Sequence, residues 1–305
     1  MRFGLALPQY GYSLTGGVAG GLNWLRLRDW AQQAEDLGFS SVWLSDHLFL
    51  DLAKYGGSEQ RYDAMECLTT LAALATSTSR VRLGSLVLCN DLRSAALVGK
   101  MASTLGDLAG RGIELGIGAG WYEPEYEAAG IDFDPAPARI TRLGESLKVI
   151  KEMLPSGVRL WVGGKGDRMV RLAARLADGY NSVWAWTPEA FGDRVALLDR
   201  SSERNVARSV GLYTLCGRND TEIEQRWQRY RDATSLGATS LDINQTAADW
   251  GADKLFGTPA QVVTRVNKFK ALGVEEVILG FGILPFQIAD PSAIEMFARE
   301  VFPLI

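Results

Sequence analysis

The residues able to do chemistry fall in short polar clusters, each placed directly after a run of apolar residues. The first is Ser45-Asp46-His47. His47 is the only histidine in the chain, which excludes multi-histidine metal centres, and no metal site is expected. Imidazole ordinarily titrates near neutrality, so a histidine here can donate a proton or a hydrogen bond. The alternative is a histidine that merely caps its loop. Asp46 can orient that ring, contact a substrate or cap the loop, and the sequence leaves the three open.

Four further clusters follow: Cys89-Asn90-Asp91, Gly118-Ala119-Gly120-Trp121-Tyr122-Glu123, Gly163-Gly164-Lys165-Gly166-Asp167-Arg168 and Asn181-Ser182-Val183-Trp184-Ala185-Trp186. They are rich in glycine, aromatics and hydrogen-bonding groups, and poor in metal ligands. Gly163-Gly164-Lys165-Gly166 lies between a strand-like run and a helix-like one. Such a turn cradles phosphate, because glycine permits close backbone approach and a helix start offers free N–H groups. Lys165 or Arg168 would add charge; a tight loop without any ligand is the plainer reading. Gly116-Ile117-Gly118-Ala119-Gly120-Trp121 resembles a dinucleotide fingerprint, yet it leads into a segment with proline and glutamate rather than opening a helix. Its small residues suit a flat ligand lying against backbone. Trp121, Trp184 and Trp186 would stand near such a ligand or pack in the core.

These clusters need elements to hold them. Eight short β-type runs are expected, at Phe3–Leu7, Ser41–Leu44, Val81–Leu88, Gly112–Ile117, Arg159–Val162, Tyr180–Trp184, Ser209–Leu215 and Glu276–Leu279. Stretches of helical period separate them, beginning with Leu22–Leu37, which stops at Gly38. Alternating strands and helices mean parallel pairing. Eight such units give an α/β fold, a (β/α)8 TIM barrel with insertion loops at the C-terminal face of the strands. In that architecture every polar cluster named above lands at one mouth. The rival, an open doubly wound sheet, lacks its glycine fingerprint after the first strand. Segments 48–65, 120–136 and 236–256 read as long loops, of the kind that form lids or interface arms.

The bulk numbers agree with an ordinary globular enzyme. The chain has 305 residues, 47% hydrophobic and 22% charged, with a net charge of −4. That balance argues against nucleic-acid or anionic-membrane partners and leaves a small-molecule substrate. Cys67, Cys89 and Cys216 are odd in number and far apart, so no disulfide framework is expected. With no signal-like or membrane-length apolar run, a cytoplasmic protein is expected.

At these same residues the chain resembles the luciferase-like monooxygenase superfamily, particularly its coenzyme F420-dependent branch. The resemblance runs through Trp30-Ala31-Gln32-Gln33-Ala34-Glu35, Leu37-Gly38-Phe39-Ser40-Ser41-Val42-Trp43 and Ser45-Asp46-His47. It continues in Leu115 to Trp121, Glu123-Pro124-Glu125-Tyr126, Arg142-Leu143 with Glu145, Ala177-Asp178-Gly179-Tyr180-Asn181 and Gly257-Thr258-Pro259. It implies one barrel domain over residues 1–305 that binds F420, or alternatively FMN, with the ring deep in the mouth. It places the ring on a strand-three bulge at Leu86-Val87, often a non-prolyl cis peptide. Phosphate contacts map to Gly163, Gly164 and the next helix start, and Asp46 with His47 map beside the reactive ring carbon. Asn90, Gly118, Ala119, Gly120, Lys165, Arg168, Asn181 and Trp184 complete the expected cofactor site. A homodimer is likewise implied.

The chain departs from the family's pattern at Ser94-Ala95, where relatives carry His-Pro or Asn-Pro, and at Gly106, which replaces an aspartate. The glutamate of sugar-phosphate-oxidising relatives has no counterpart at Gly120-Trp121, so that specificity is not carried over. The expected reaction is hydride transfer between F420 and a small organic substrate, with His47 serving the substrate heteroatom. The runner-up is an FMN-dependent monooxygenase using oxygen.

Overall fold

Successive residues of a strand face opposite ways, and here the two sides meet very different surroundings. The computed structural model describes residues 1–13, 23–55, 59–234 and 245–305. Its eight barrel strands are β1 Arg2–Ala6, β2 Ser41–Leu44, β3 Arg82–Cys89, β4 Ile113–Gly118, β5 Val158–Gly163, β6 Gly179–Ser182, β7 Ala207–Cys216 and β8 Glu276–Gly280. Each pairs in parallel with the next, and β8 returns to β1, so the sheet closes. Leu5 of β1, for example, stands between Val42 of β2 and Leu279 of β8. The (β/α)8 barrel expected from the alternation is the fold.

Around it lie α1 Trp24–Asp36, α2 Cys67–Ala75, α3 Ala95–Ala109, α4 Glu123–Ala129, α5 Ala136–Met153, α6 Asp167–Leu176, α7 Pro188–Arg200, α8 Asp220–Thr234, α9 Ala247–Gly251, α10 Pro259–Ala271 and α11 Pro291–Glu300. Among the described residues no helix is long and apolar enough to cross a membrane. Three segments read as loops carry structure. Segment 120–136 contains α4, started by Pro124 and by Glu123 and Glu125 in its first turn. Segment 48–65 contains an antiparallel pair, Phe49–Leu50 with Tyr62–Asp63. Segment 236–256 contains α9, opened by a Thr246–Asp249 capping box, and a strand Leu255–Gly257 laid beside β7. Residues 14–22, which include the first residue of the helical stretch expected at Leu22–Leu37, lie outside the described residues, as do 56–58 and 235–244.

Outward-facing residues such as Leu5, Val42, Leu115, Leu160 and Leu279 join one buried apolar layer beneath the helices. Inward-facing residues do something else. At the strand starts Glu114 takes Arg159 through both oxygens, at 3.0 and 2.8 Å, together with Arg82 and the Trp161 indole N–H. Glu276 takes Arg82 at 2.8 Å and the Ser41 hydroxyl at 2.5 Å. Above this ionic floor the rings of Trp43 and Trp161 fill the barrel. A methyl added at Gly84 would stand 2.3 Å from Trp43, and one at Gly179 would stand 2.2 Å from Trp161. The lower half of the barrel is therefore plugged, and only its upper end can be hollow.

Glu114 is 1% exposed, and its removal leaves Arg159 without its two short bonds, Arg82 with Glu276 alone and the Trp161 indole N–H without its acceptor. Glu114→Ala is expected to lose about 3–5 kcal/mol of stability, the usual result of breaking a buried charge pair. Urea unfolding monitored by circular dichroism measures it; a loss below about 1 kcal/mol, the surface-pair range, would show that the floor is dispensable.

Candidate active site

The open upper end of the barrel begins where β3 stops pairing regularly. The β3–β4 register shifts between Ser85 and Leu88, and the Leu86–Val87 peptide within that shift is cis. Ser85 fills the gap in the ladder with its hydroxyl, which donates to Gly116 O and accepts from Gly116 N, both at 2.9 Å. The bulge turns Val87 toward β4 and β5. A Cβ at Gly118 would lie 2.8 Å from Val87, and one at Gly163 only 2.6 Å from it. Glycine at these two positions is thus required by the bulge itself. A second cis peptide joins Val183 to Trp184, beyond the end of β6, where Val183 packs against Gly211 of β7.

These bends border a cavity of about 630 Å³. Of the residues expected at the site, Asp46, His47, Leu86, Val87, Gly118, Ala119, Gly120, Gly163, Gly164, Lys165, Asn181 and Trp184 line it. Two do not. Asn90 is buried with its amide on Asp91 at 2.8 Å, and the pair faces a separate groove beside Arg93. Arg168 lies on the outer side of α6, where its guanidinium reaches Pro137 O and the Thr141 hydroxyl of α5. Asn90 opens the 3₁₀ turn Asn90–Leu92 that leads away from the end of β3, and Arg168 stands on the face of α6 that meets α5, so neither side chain enters the mouth. Trp121 also lines the cavity, whereas Trp186 packs behind it on Phe191.

Asp46 does not orient the His47 ring. Its carboxylate receives Arg93 through two bonds of 2.8 Å and the Cys89 N–H at 2.9 Å, tying the ends of β2 and β3 together. The ring is held instead by Glu125 of α4, which sequence reasoning missed. One Glu125 oxygen accepts from His47 Nδ1 at 2.8 Å, and the other accepts the Leu48 N–H at 2.5 Å. Glu125 is 3% exposed, so this contact is not weakened by competing water. Because a carboxylate only accepts, Nδ1 is the donor in this contact, and in the neutral ring the lone pair is on Nε2. Nε2 makes no hydrogen bond among the described residues, on a ring that borders the cavity.

Two kinds of surface meet around that ring. On one side is an aromatic group absent from the sequence reading: buried Tyr10, Tyr213 and Phe286 with half-buried Tyr55, and Trp184 stacked on Tyr213 at 5.3 Å. Burial pushes the Tyr10 and Tyr213 phenols well above their ordinary range and Tyr55 up to about 12, so all three stay neutral near pH 7. On the other side is the Gly163–Gly166 turn. Gly166 caps α6 without a side chain, and the N–H groups of Gly166, Asp167 and Arg168 have no acceptor among the described residues. Free N–H groups at a helix start, with Lys165 beside them, suit a phosphate.

Comparison with known proteins agrees with this geometry. The family model for luciferase-like monooxygenases matches residues 1–276. The 5,10-methylenetetrahydromethanopterin reductase of Archaeoglobus fulgidus is 24% identical, over 92% of this chain and 96% of its own. Pyrimidine monooxygenase RutA of Acinetobacter baylyi is 26% identical, over 77% of this chain and 72% of its own. Among solved structures, an F420-dependent secondary alcohol dehydrogenase in complex with an F420-acetone adduct superposes with a TM-score of 0.75. That likeness covers 99% of this chain and 98% of the other at 16% identity, which establishes the shared fold. A barrel that opens at the strand-three bulge and a family match spanning nine-tenths of the sequence lead to one conclusion: the chain belongs to the luciferase-like monooxygenase family.

Proposed function

We propose that this protein is an F420-dependent oxidoreductase that moves a hydride between the deazaflavin and a small organic substrate. The observation that carries the reading is a histidine fixed by a buried carboxylate on the lining of a cavity that also holds a turn suited to a phosphate. The residues fit such a cofactor. Val87 and the glycines beneath it give a surface for a flat ring, and the start of α6 with Lys165 gives a seat for its phosphate.

When bound, the deazaflavin supplies a carbon that takes or gives a hydride with its electron pair and reacts poorly with oxygen. The chain supplies the proton chemistry. In the direction of substrate oxidation, the heteroatom bearing the reacting carbon gives its proton to His47 Nε2, and Glu125 steadies the cation that results. In the direction of reduction Nε2 returns that proton. Asp46 acts at a distance, by holding the ends of β2 and β3 at fixed spacing. The aromatic wall of Tyr213, Trp184 and Phe286 excludes water from the reacting end.

A second reading, an FMN-dependent monooxygenase, is supported by the likeness to RutA. Fluorescence titration of the purified protein with F420 and with FMN separates the two. F420 is expected to bind at micromolar concentration; tight FMN binding with no response to F420 would reverse the assignment.

The roles predict a split between chemistry and binding. His47→Ala should lower turnover about a hundredfold to ten-thousandfold, the range for a general acid or base. Its F420 affinity should stay within about threefold, well under the 1.4 kcal/mol that a tenfold change represents. Lys165→Gln should do the reverse, weakening F420 binding about tenfold and flattening its salt dependence. Steady-state kinetics with a panel of alcohols and carbonyl compounds, alongside the titration, would register either pattern. Unchanged turnover in His47→Ala would remove its role.

A further inference from the structure

The cavity is charged more positively than the protein around it. Three cations line it, Lys54, Lys165 and Arg139, and none has a carboxylate partner among the described residues. Arg139 spends its N–H groups on the backbone carbonyls of Ala119, Gly120 and Asp134. The two carboxylates on the lining are already engaged, Asp46 by Arg93 and Glu125 by His47 and the Leu48 N–H. In a chain of net charge −4, this is a local positive field at the mouth of an apolar pocket.

A cofactor phosphate at the start of α6 would neutralise the Lys165 side. Lys54 is left over. It sits on the turn Ala53–Tyr55, between the two short strands of the 48–65 segment, and lines the cavity. Its ammonium lies on the Trp121 ring, 3.6 Å from the centroid, and the Trp121 ring meets His47 edge-on at 5.6 Å. The ammonium is therefore one indole ring away from the imidazole. Although the Lys54 chain as a whole is exposed, loss of water around the ammonium, followed by the charge of Lys165, lowers its pKa. An anion placed there would relieve both effects.

Resting on the reading of His47 as the proton-handling group, we propose that the substrate is an organic anion whose carboxylate or phosphate is received by Lys54 on the face of Trp121. The distance of one ring then presents the rest of a small molecule to His47 Nε2, with Tyr55 and Tyr213 beside it. Lys54 serves as a specificity residue. It holds charge, and the reacting bond lies elsewhere.

Three probes of matched size test this: benzoate, phenyl phosphate and the neutral benzamide. Their affinities are measured calorimetrically on the full chain, cofactor-free and saturated with whichever of F420 and FMN binds. At least one anion should bind about tenfold more tightly than benzamide, a difference of about 1.4 kcal/mol. Lys54→Gln should abolish that preference, and Lys54→Arg and Lys165→Gln should keep it. Which anion is tighter tells carboxylate from phosphate. Equal binding of all three, no binding of either anion, or a preference that survives Lys54→Gln and disappears in Lys165→Gln would overturn the proposal. Failure of F420 to bind would sink the cofactor assignment alone, because the charge preference is read on the cofactor-free protein as well.

Discussion

The inside of an eight-stranded parallel barrel is only a few side chains deep, so whatever fills its lower layers decides what remains open above. Here the filling is ionic and aromatic. Glu114 and Glu276 with Arg82 and Arg159 make the floor, and the rings of Trp43 and Trp161 occupy the next level over Gly84 and Gly179. The strands above carry small residues facing inward, Gly116, Gly118, Gly163 and Gly211, so the hollow appears only at the carboxyl ends. The bulge of β3 then places Val87 across that hollow, against Gly116, Gly118 and Gly163. Site and scaffold are one arrangement of inward-facing residues.

The second constraint acts sideways. Glu125 belongs to α4, a seven-residue helix, yet it is the group that fixes both His47 and the first residue beyond it. Asp46 does the same between β2 and β3 through Arg93, which also reaches Glu66 at the start of α2. Neighbouring strand exits are thus tied by carboxylates that accept from backbone as well as side chain. Such ties suit the role proposed for His47, since proton transfer tolerates little displacement of the group that carries it out. The aromatic wall, by contrast, is held by packing, with Tyr12 donating to Pro285 O and Gln287 accepting from the Ile283 and Leu284 N–H groups.

Much of this was legible in the sequence, for physical reasons that also mark where legibility ends. Strand runs such as Ser41–Leu44 and Glu276–Leu279 stand out because a buried parallel strand is apolar on its helix-facing side and short between turn signals. Asp46, His47 and Gly163 follow from position alone, as the first polar or small residues at strand ends. Glu125 was hidden because 120–136 was read as loop. The signal was present in Glu123-Pro124-Glu125, with proline and acids where a helix begins. The charged floor was invisible for another reason, since Glu114 and Arg159 look like solvated strand edges until the barrel closes and brings them together. Lys54 and Tyr55 meet Tyr213 from a distant segment with which they share no period. Asn90 and Arg168 show the opposite error, where correct segments carried side chains pointing outward.

In the proposed function the Glu125 carboxylate fixes the proton of His47 on Nδ1 and leaves Nε2 to face the substrate. A single histidine makes this directly measurable, because ¹⁵N-histidine labelling gives one set of imidazole signals without assignment. In the neutral ring the account predicts a protonated Nδ1 and an unprotonated Nε2, with that preference lost in Glu125→Ala. A neutral ring protonated on Nε2 in the unaltered protein would contradict it.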